Sequence, residues 1–390
     1  MRRRPLLAFA GGAALAPLVA RDAAAGPGDG CSLPVATNDG WRVAPSDGDS
    51  GIDRAALCRM ADRLAVPGAA AIHSVLVVRG GALAFERYFQ GDDEVPGWFV
   101  RRRPQRVSFD AGTLHDVKSV SKSVASLAVG IAIDQGFIRS VDAPVFSFFP
   151  DLADLRSPEK DRIKLSDVLQ MSMGLAWVEA TPATGDLDND ETRMRLSGDP
   201  CRYVLGRPVT APAGRAFFYN TGALALVAAI IRRTTGRPLD EFAQAVLFEK
   251  LGIAGATWDR VRGETDAGGG LRLRPRDMAK IGQLVLAQGR WNGRQVVSNA
   301  WVAASTASGI KASDGMSYGY LWWTGQTRLA GRAIGWVGAL GRGGQSIRIV
   351  PELALVVVVT AGYYQDDSQH AFRVQYGVFR DVLRAVAPPG

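Results

Sequence analysis

The chain has 390 residues, 47% hydrophobic and 8% aromatic, enough for the core of one large or two ordinary domains, so disorder is excluded as its default state. Its formal charge is +8. Four of the arginines fall in the first 25 residues, and the remaining basic residues are dispersed, with no Lys/Arg run to follow a phosphate backbone. Nucleic acid is therefore not an expected partner.

Met1-Arg2-Arg3-Arg4 followed by an apolar stretch to Ala20, and Ala23-Ala24-Ala25 before Gly26, read as a basic n-region, a short h-region and a small-residue cleavage site. Residues 1–25 are thus expected to be a signal peptide, which implies export to the periplasm or the medium and no stable membrane insertion after cleavage. Cys31, Cys58 and Cys201 allow at most one internal disulfide.

Ile52, Leu57, Met60 and Leu64 recur near helical spacing, with Asp53 placed to cap. Ile72 to Val78 and Ala82 to Phe89 are β-rich runs separated by Arg79-Gly80-Gly81, which predicts a β-hairpin. Helical patterns broken by Pro, Gly and Asp then dominate residues 115–285. Strand patterns return at Tyr318 to Trp323, Ser346 to Val350 and Leu355 to Thr360, before a last helix around Ala371 to Val386. The expected class is α/β of the α+β type: a mainly antiparallel sheet built from both chain ends (26–114 and 286–390), flanked by helices, with a mainly helical region (115–285) inserted.

Ser119-Val-Ser-Lys122 puts a hydroxyl and an amine one helical turn apart, on one face. Ser157/Lys160 and Ser308/Lys311 share the spacing, but lie in polar turns. Ser119 instead opens a run to Gly136 in which Val120, Val124, Leu127, Ala128, Ile131 and Ile133 make a largely apolar helix. A lysine inside that helix is suited to accept a serine proton, and the helix N-terminus favours an oxyanion. The alternative is that Ser119 only caps the helix and Lys122 is a solvated first-turn residue.

The segment Leu114-His-Asp-Val-Lys-Ser119-Val-Ser-Lys122 resembles the nucleophile region of serine hydrolases related to class C β-lactamases and D-alanyl-D-alanine carboxypeptidases. Leu169 to Leu175, Pro212 to Gly222, Gly269 to Asp277 and Gly341 to Gln345 agree with that family in order and spacing. Trp291-Asn-Gly-Arg and Tyr318 to Trp323 add a similarity to its 6-aminohexanoate-oligomer hydrolases, which act on linear amides or carboxylic esters.

The resemblance implies a β-lactamase/transpeptidase-like fold and an acyl-enzyme mechanism. Ser119 would be the nucleophile, with Lys122 and Tyr219, the tyrosine of the Y-x-N motif, moving protons. Tyr219 could otherwise be a turn residue. Thr221 stands where β-lactamases carry asparagine, which argues against efficient penicillin turnover. Arg342-Gly343-Gly344 occupies the place of the K-T-G strand motif, where its glycines would allow close approach of substrate. Gln345, or a nearby backbone N–H, would complete the oxyanion hole, and Arg342 could attract a substrate carboxylate or be an ordinary surface residue. No cofactor or metal is implied. The substrate class is a small ester, amide or short peptide; the rival reading is a non-catalytic binding protein retaining the fold.

Overall fold

Val75 to Val78 and Leu355 to Val359 are unbroken apolar runs, and strands of that kind are stable where both faces of a sheet are covered. In the computed structural model they lie side by side near one edge of an eight-stranded antiparallel sheet. The structure describes residues 32–44, 51–68, 70–95, 103–179, 181, 185–313, 315–364 and 368–386, so the expected signal segment lies outside the described residues. In chain order the strands of the sheet are β1 (Ile72–Arg79), β2 (Ala82–Tyr88), β3 (Ile310–Ser313), β4 (Met316–Tyr318), β5 (Trp323–Leu329), β6 (Arg332–Gly341), β7 (Gln345–Val350) and β8 (Leu355–Ala361). Their spatial order is β3-β4-β5-β6-β7-β8-β1-β2, so the two chain ends do build one sheet.

Four helices matter for the site: α1 (Val120–Asp134), α2 (Gly222–Thr235), α3 (Pro275–Leu286) and α4 (Ser368–Val386). Helix α3 covers one face of β7, β8 and β1, meeting Ile347 and Val356 at Gly282. Helix α4 covers the other face, where the alternating strand pattern sends Arg348 among the rings of Trp336, Phe372, Tyr376 and Phe379.

Helix α1 is buried at every position from Val120 to Ala132. It packs against α2 and against β6 and β7. A helix apolar all round belongs in an interior, and each fully buried Val, Leu or Ile there contributes about 1.5–3 kcal/mol relative to exposure. It ends where Gly136 takes a left-handed conformation (φ 77°) that residues with a Cβ avoid.

Two expectations need correction. Tyr318 to Trp323 is not one strand: residues 319–322 turn the chain between β4 and β5, with Leu321 left-handed. The ten-residue strand β6 was not expected, because Gly335, Gly338 and Gly341 break its apolar pattern. In the helical region, a small sheet pairs His115–Asp116 and Thr257–Trp258 with Leu271–Leu273. That sheet fastens the segment entering α1 to the segment that follows Gly268, and Val117 N–H adds a bond to Leu271 O at 2.9 Å.

Candidate active site

Ser119 occupies the N-cap position of α1, but its hydroxyl makes no cap bond. Instead Lys122 Nζ and Tyr219 OH each donate to Ser119 Oγ at 2.9 Å. Lys122 is only 2% exposed, so the solvated first-turn alternative does not hold. Its ammonium also donates to the carbonyl of Gly268 at 2.6 Å and lies 5.2 Å from the centre of the Tyr219 ring. A Cβ at residue 268 would fall 2.5 Å from the Thr221 methyl, so only glycine brings this carbonyl up to the lysine.

Tyr219 is placed by its neighbours. Phe218 N–H donates to Met171 O at 2.9 Å, and buried Asn220 caps α2 through a 3.2 Å bond from Ala223 N–H. Trp323 lies nearly parallel to the Tyr219 ring, 6.4 Å away at 15°, with Phe217 and Tyr318 against its other sides. The hydroxyl is thus held by an aromatic wall rather than free in a turn.

Across from them, β6 arrives at Gly341. A Cβ there would sit 2.5 Å from Val117 O and 3.3 Å from Lys118 Cβ, so this glycine lets the strand lie directly against the residues that precede the nucleophile. Arg342 to Gly344 then form a tight turn that returns to pair Gln345 with Gly341. The arrangement presents a hydroxyl already accepting two hydrogen bonds, beside a helix N-terminus and a strand end with backbone N–H groups. Such a geometry can support attack of the hydroxyl on a carbonyl.

A family model described as Beta-lactamase matches residues 54–375. The chain belongs to that family. It is 30% identical, over 72% of its own length and 74% of the relative's, to the 6-aminohexanoate-dimer hydrolase of Paenarthrobacter ureafaciens. Solved structures with the same fold include the octameric penicillin-binding protein homologue of Pyrococcus abyssi (TM-score 0.60, 18% identity, 83% of this chain and 76% of that one). Another is EstCE1, a hydrolase with promiscuous acyltransferase activity (TM-score 0.63, 15% identity, 86% and 100%). The protein is a serine hydrolase of the β-lactamase family.

Around the three central residues this family member distributes the other expected positions differently. Thr221 is buried beside Lys122, but its hydroxyl and N–H both go to Glu179, at 2.5 and 2.6 Å, and Trp177 Nε1 donates to the same carboxylate at 2.7 Å. The Gln345 side chain is directed to Ala361: its amide donates to that carbonyl and accepts from that N–H at 3.3 Å, which leaves the backbone N–H groups of the turn as candidate oxyanion donors. Gly343 and Gly344 are glycine for conformational reasons, with φ of 79° and 93°, and a Cβ on Gly343 would meet the Tyr364 ring at 2.7 Å. These conformations require glycine at both positions whether or not substrate approaches them. Arg342 is exposed.

The competing serines are otherwise engaged. Ser157 Oγ donates to Glu159 and Lys160 Nζ to Leu205 O, while Ser308 Oγ lies 3.2 Å from Thr324 Oγ1. Gly315 to Gly319 fits a G-x-S-x-G string, yet Ser317 sits within β4 and pairs with Thr324, not at a strand-to-helix elbow. Among the described residues, no group of three or more His, Cys, Asp or Glu side chains is arranged to hold a metal ion.

Sequence reasoning missed Gly268, Glu179 and Lys118. Gly268 heads a run of three glycines that could have drawn attention as a close-approach segment. Glu179 meets Thr221 from 42 residues away, and no local pattern announces it.

Proposed function

We propose that the protein is an exported hydrolase that cleaves small carboxylic esters or linear amides through an acyl-enzyme on Ser119. The observation that carries this reading is the placement of both Lys122 Nζ and Tyr219 OH at 2.9 Å from Ser119 Oγ. In the reacting form Lys122 carries a neutral amine, so that as Ser119 attacks the carbonyl its proton passes to Lys122, directly or relayed by Tyr219 OH, and is returned to the departing alcohol or amine; water then repeats the sequence in reverse to release the acid. The N–H of Ser119, at the start of α1, and a backbone N–H of the 341–345 turn would hold the oxyanion.

The Paenarthrobacter relative is named for 6-aminohexanoate dimer, and EstCE1 is described as a hydrolase with promiscuous acyltransferase activity. The first name supports an amide substrate and the second an acyl-enzyme. With both polar groups of Thr221 committed to Glu179, the site offers no free side-chain amide at that position, which argues against efficient penicillin turnover. Export rests on the arginine-rich, apolar N-terminus.

The test is a substrate panel of p-nitrophenyl esters, 6-aminohexanoate dimer and penicillin G with the wild type and Ser119→Ala. Turnover of an ester or the linear amide, lost in the variant and exceeding that of penicillin, is expected. Turnover of none of them would favour a binding protein, and preference for penicillin would overturn the substrate assignment.

A further inference from the structure

Lys118, the residue immediately before the nucleophile, has a left-handed backbone (φ 51°), a conformation costly for any residue with a Cβ. Four contacts hold it there. Its N–H donates to Asp116 Oδ1 at 3.0 Å, and its ammonium meets Asp116 Oδ2 at 3.2 Å and Glu94 Oε2 at 3.0 Å. That ammonium also lies 4.8 Å from the centre of the Tyr364 ring. The Lys118 and Glu94 side chains are 17% and 13% exposed, so this pair is shielded, unlike the many surface ion pairs of the chain.

The dihedrals of residue 118 set the plane of the 118–119 peptide, whose N–H is that of Ser119. The same Tyr364 ring packs where Gly343 admits no Cβ, and Tyr364 OH donates to Asp93 at 3.2 Å. Asp93 is paired at 2.5 Å with Arg272, whose backbone pairs with Asp116. Both backbone segments that flank Ser119 therefore rest on one cluster.

From this we infer that Glu94 is a positioning residue for the oxyanion hole: acting through Lys118, it holds the left-handed turn that aims the Ser119 N–H. The inference rests on the acyl-enzyme reading above. Glu94 acts through Lys118: its effect is on the geometry of the donor, which matters as charge develops on the carbonyl oxygen, not as substrate binds.

A four-protein cycle tests it: wild type, Glu94→Gln, Lys118→Gly and the double variant, each measured for ester kcat and KM, for the rate of labelling by a fluorophosphonate, and for Tm. In the wild-type background, Glu94→Gln is expected to lower kcat and labelling by on the order of tenfold to a hundredfold with KM changed less than about twofold. Glycine adopts positive φ without help, so in the Lys118→Gly background the same substitution should cost less than about twofold. An equal cost in both backgrounds, a rise in KM in place of a fall in kcat, or no cost at all would overturn the inference. Failure of the wild type itself to be labelled would instead sink the acyl-enzyme reading on which it depends.

Discussion

Two of the regions that bury a basic side chain do so in opposite ways. At the start of α1, Lys122 is surrounded by partners: Ser119 Oγ, the Gly268 carbonyl and the face of Tyr219. Between the sheet and α4, Arg348 is 1% exposed, and none of its three nitrogens has a hydrogen-bond partner among the described residues. It has four aromatic rings within 5.4 Å instead, and burial pulls its pKa down to about 9. Burial of charge is thus no mark of a site on its own. What distinguishes Lys122 is that its partners include the hydroxyl of Ser119, which is itself half-buried rather than sealed in the core.

Replacing each cation by methionine sharpens the contrast. Lys122→Met is expected to lower ester turnover by on the order of a thousandfold while leaving Tm unchanged or higher, because it removes the proton carrier together with a buried charge. Arg348→Met should leave turnover within about twofold and Tm within about 4 °C, since a well-packed apolar side chain can replace a buried unpaired cation. Steady-state kinetics and thermal melts of both variants decide. Comparable losses of turnover in the two would erase the distinction.

A smaller effect belongs to a third buried cluster. His73 and His115 both pack against Phe109, with ring centres 3.9 and 4.5 Å from it and 5.5 Å from each other, and burial lowers both to about 3, with repulsion from His115 adding to the effect at His73. Because the unfolded chain binds these protons near pH 6.5 and the folded one does not, stability is complete above about pH 6.5 and falls as the pH drops toward 3. Each histidine adds up to about 1.4 kcal/mol per pH unit to that slope. Urea unfolding between pH 7 and 5 should show it, with His115→Gln giving a shallower acid limb. An unchanged slope in the variant would remove the histidines from the account.

The nucleophile helix was legible because two signals coincide in it: the Ser119/Lys122 spacing and a continuous apolar face that the decoy serines lack. The hairpin of β1 and β2 and the valine-rich β8 were legible from alternation, apolar runs and turn glycines. Strand β6 was not, since the close contacts that account for glycines here, Gly325 of the neighbouring β5 against Trp336 of β6 and Gly341 of β6 against Val117, exist only once the sheet is assembled. Nor could sequence show that Gln345 turns to Ala361, that Glu179 holds Thr221 or that Glu94 meets Lys118, because each is a contact between residues distant in the chain. The left-handed backbone of Lys118 likewise carries no residue signature, lysine being an ordinary choice there.

The central claim is that Ser119 is an activated nucleophile and that Lys122 activates it. Intact-mass analysis after incubation with a fluorophosphonate tests this most directly, using the mature wild type, Ser119→Ala and Lys122→Met. A single adduct on the wild type, none on Ser119→Ala and strongly slowed labelling of Lys122→Met are expected. An adduct that persists without Ser119, or labelling of Lys122→Met at the wild-type rate, would contradict the account.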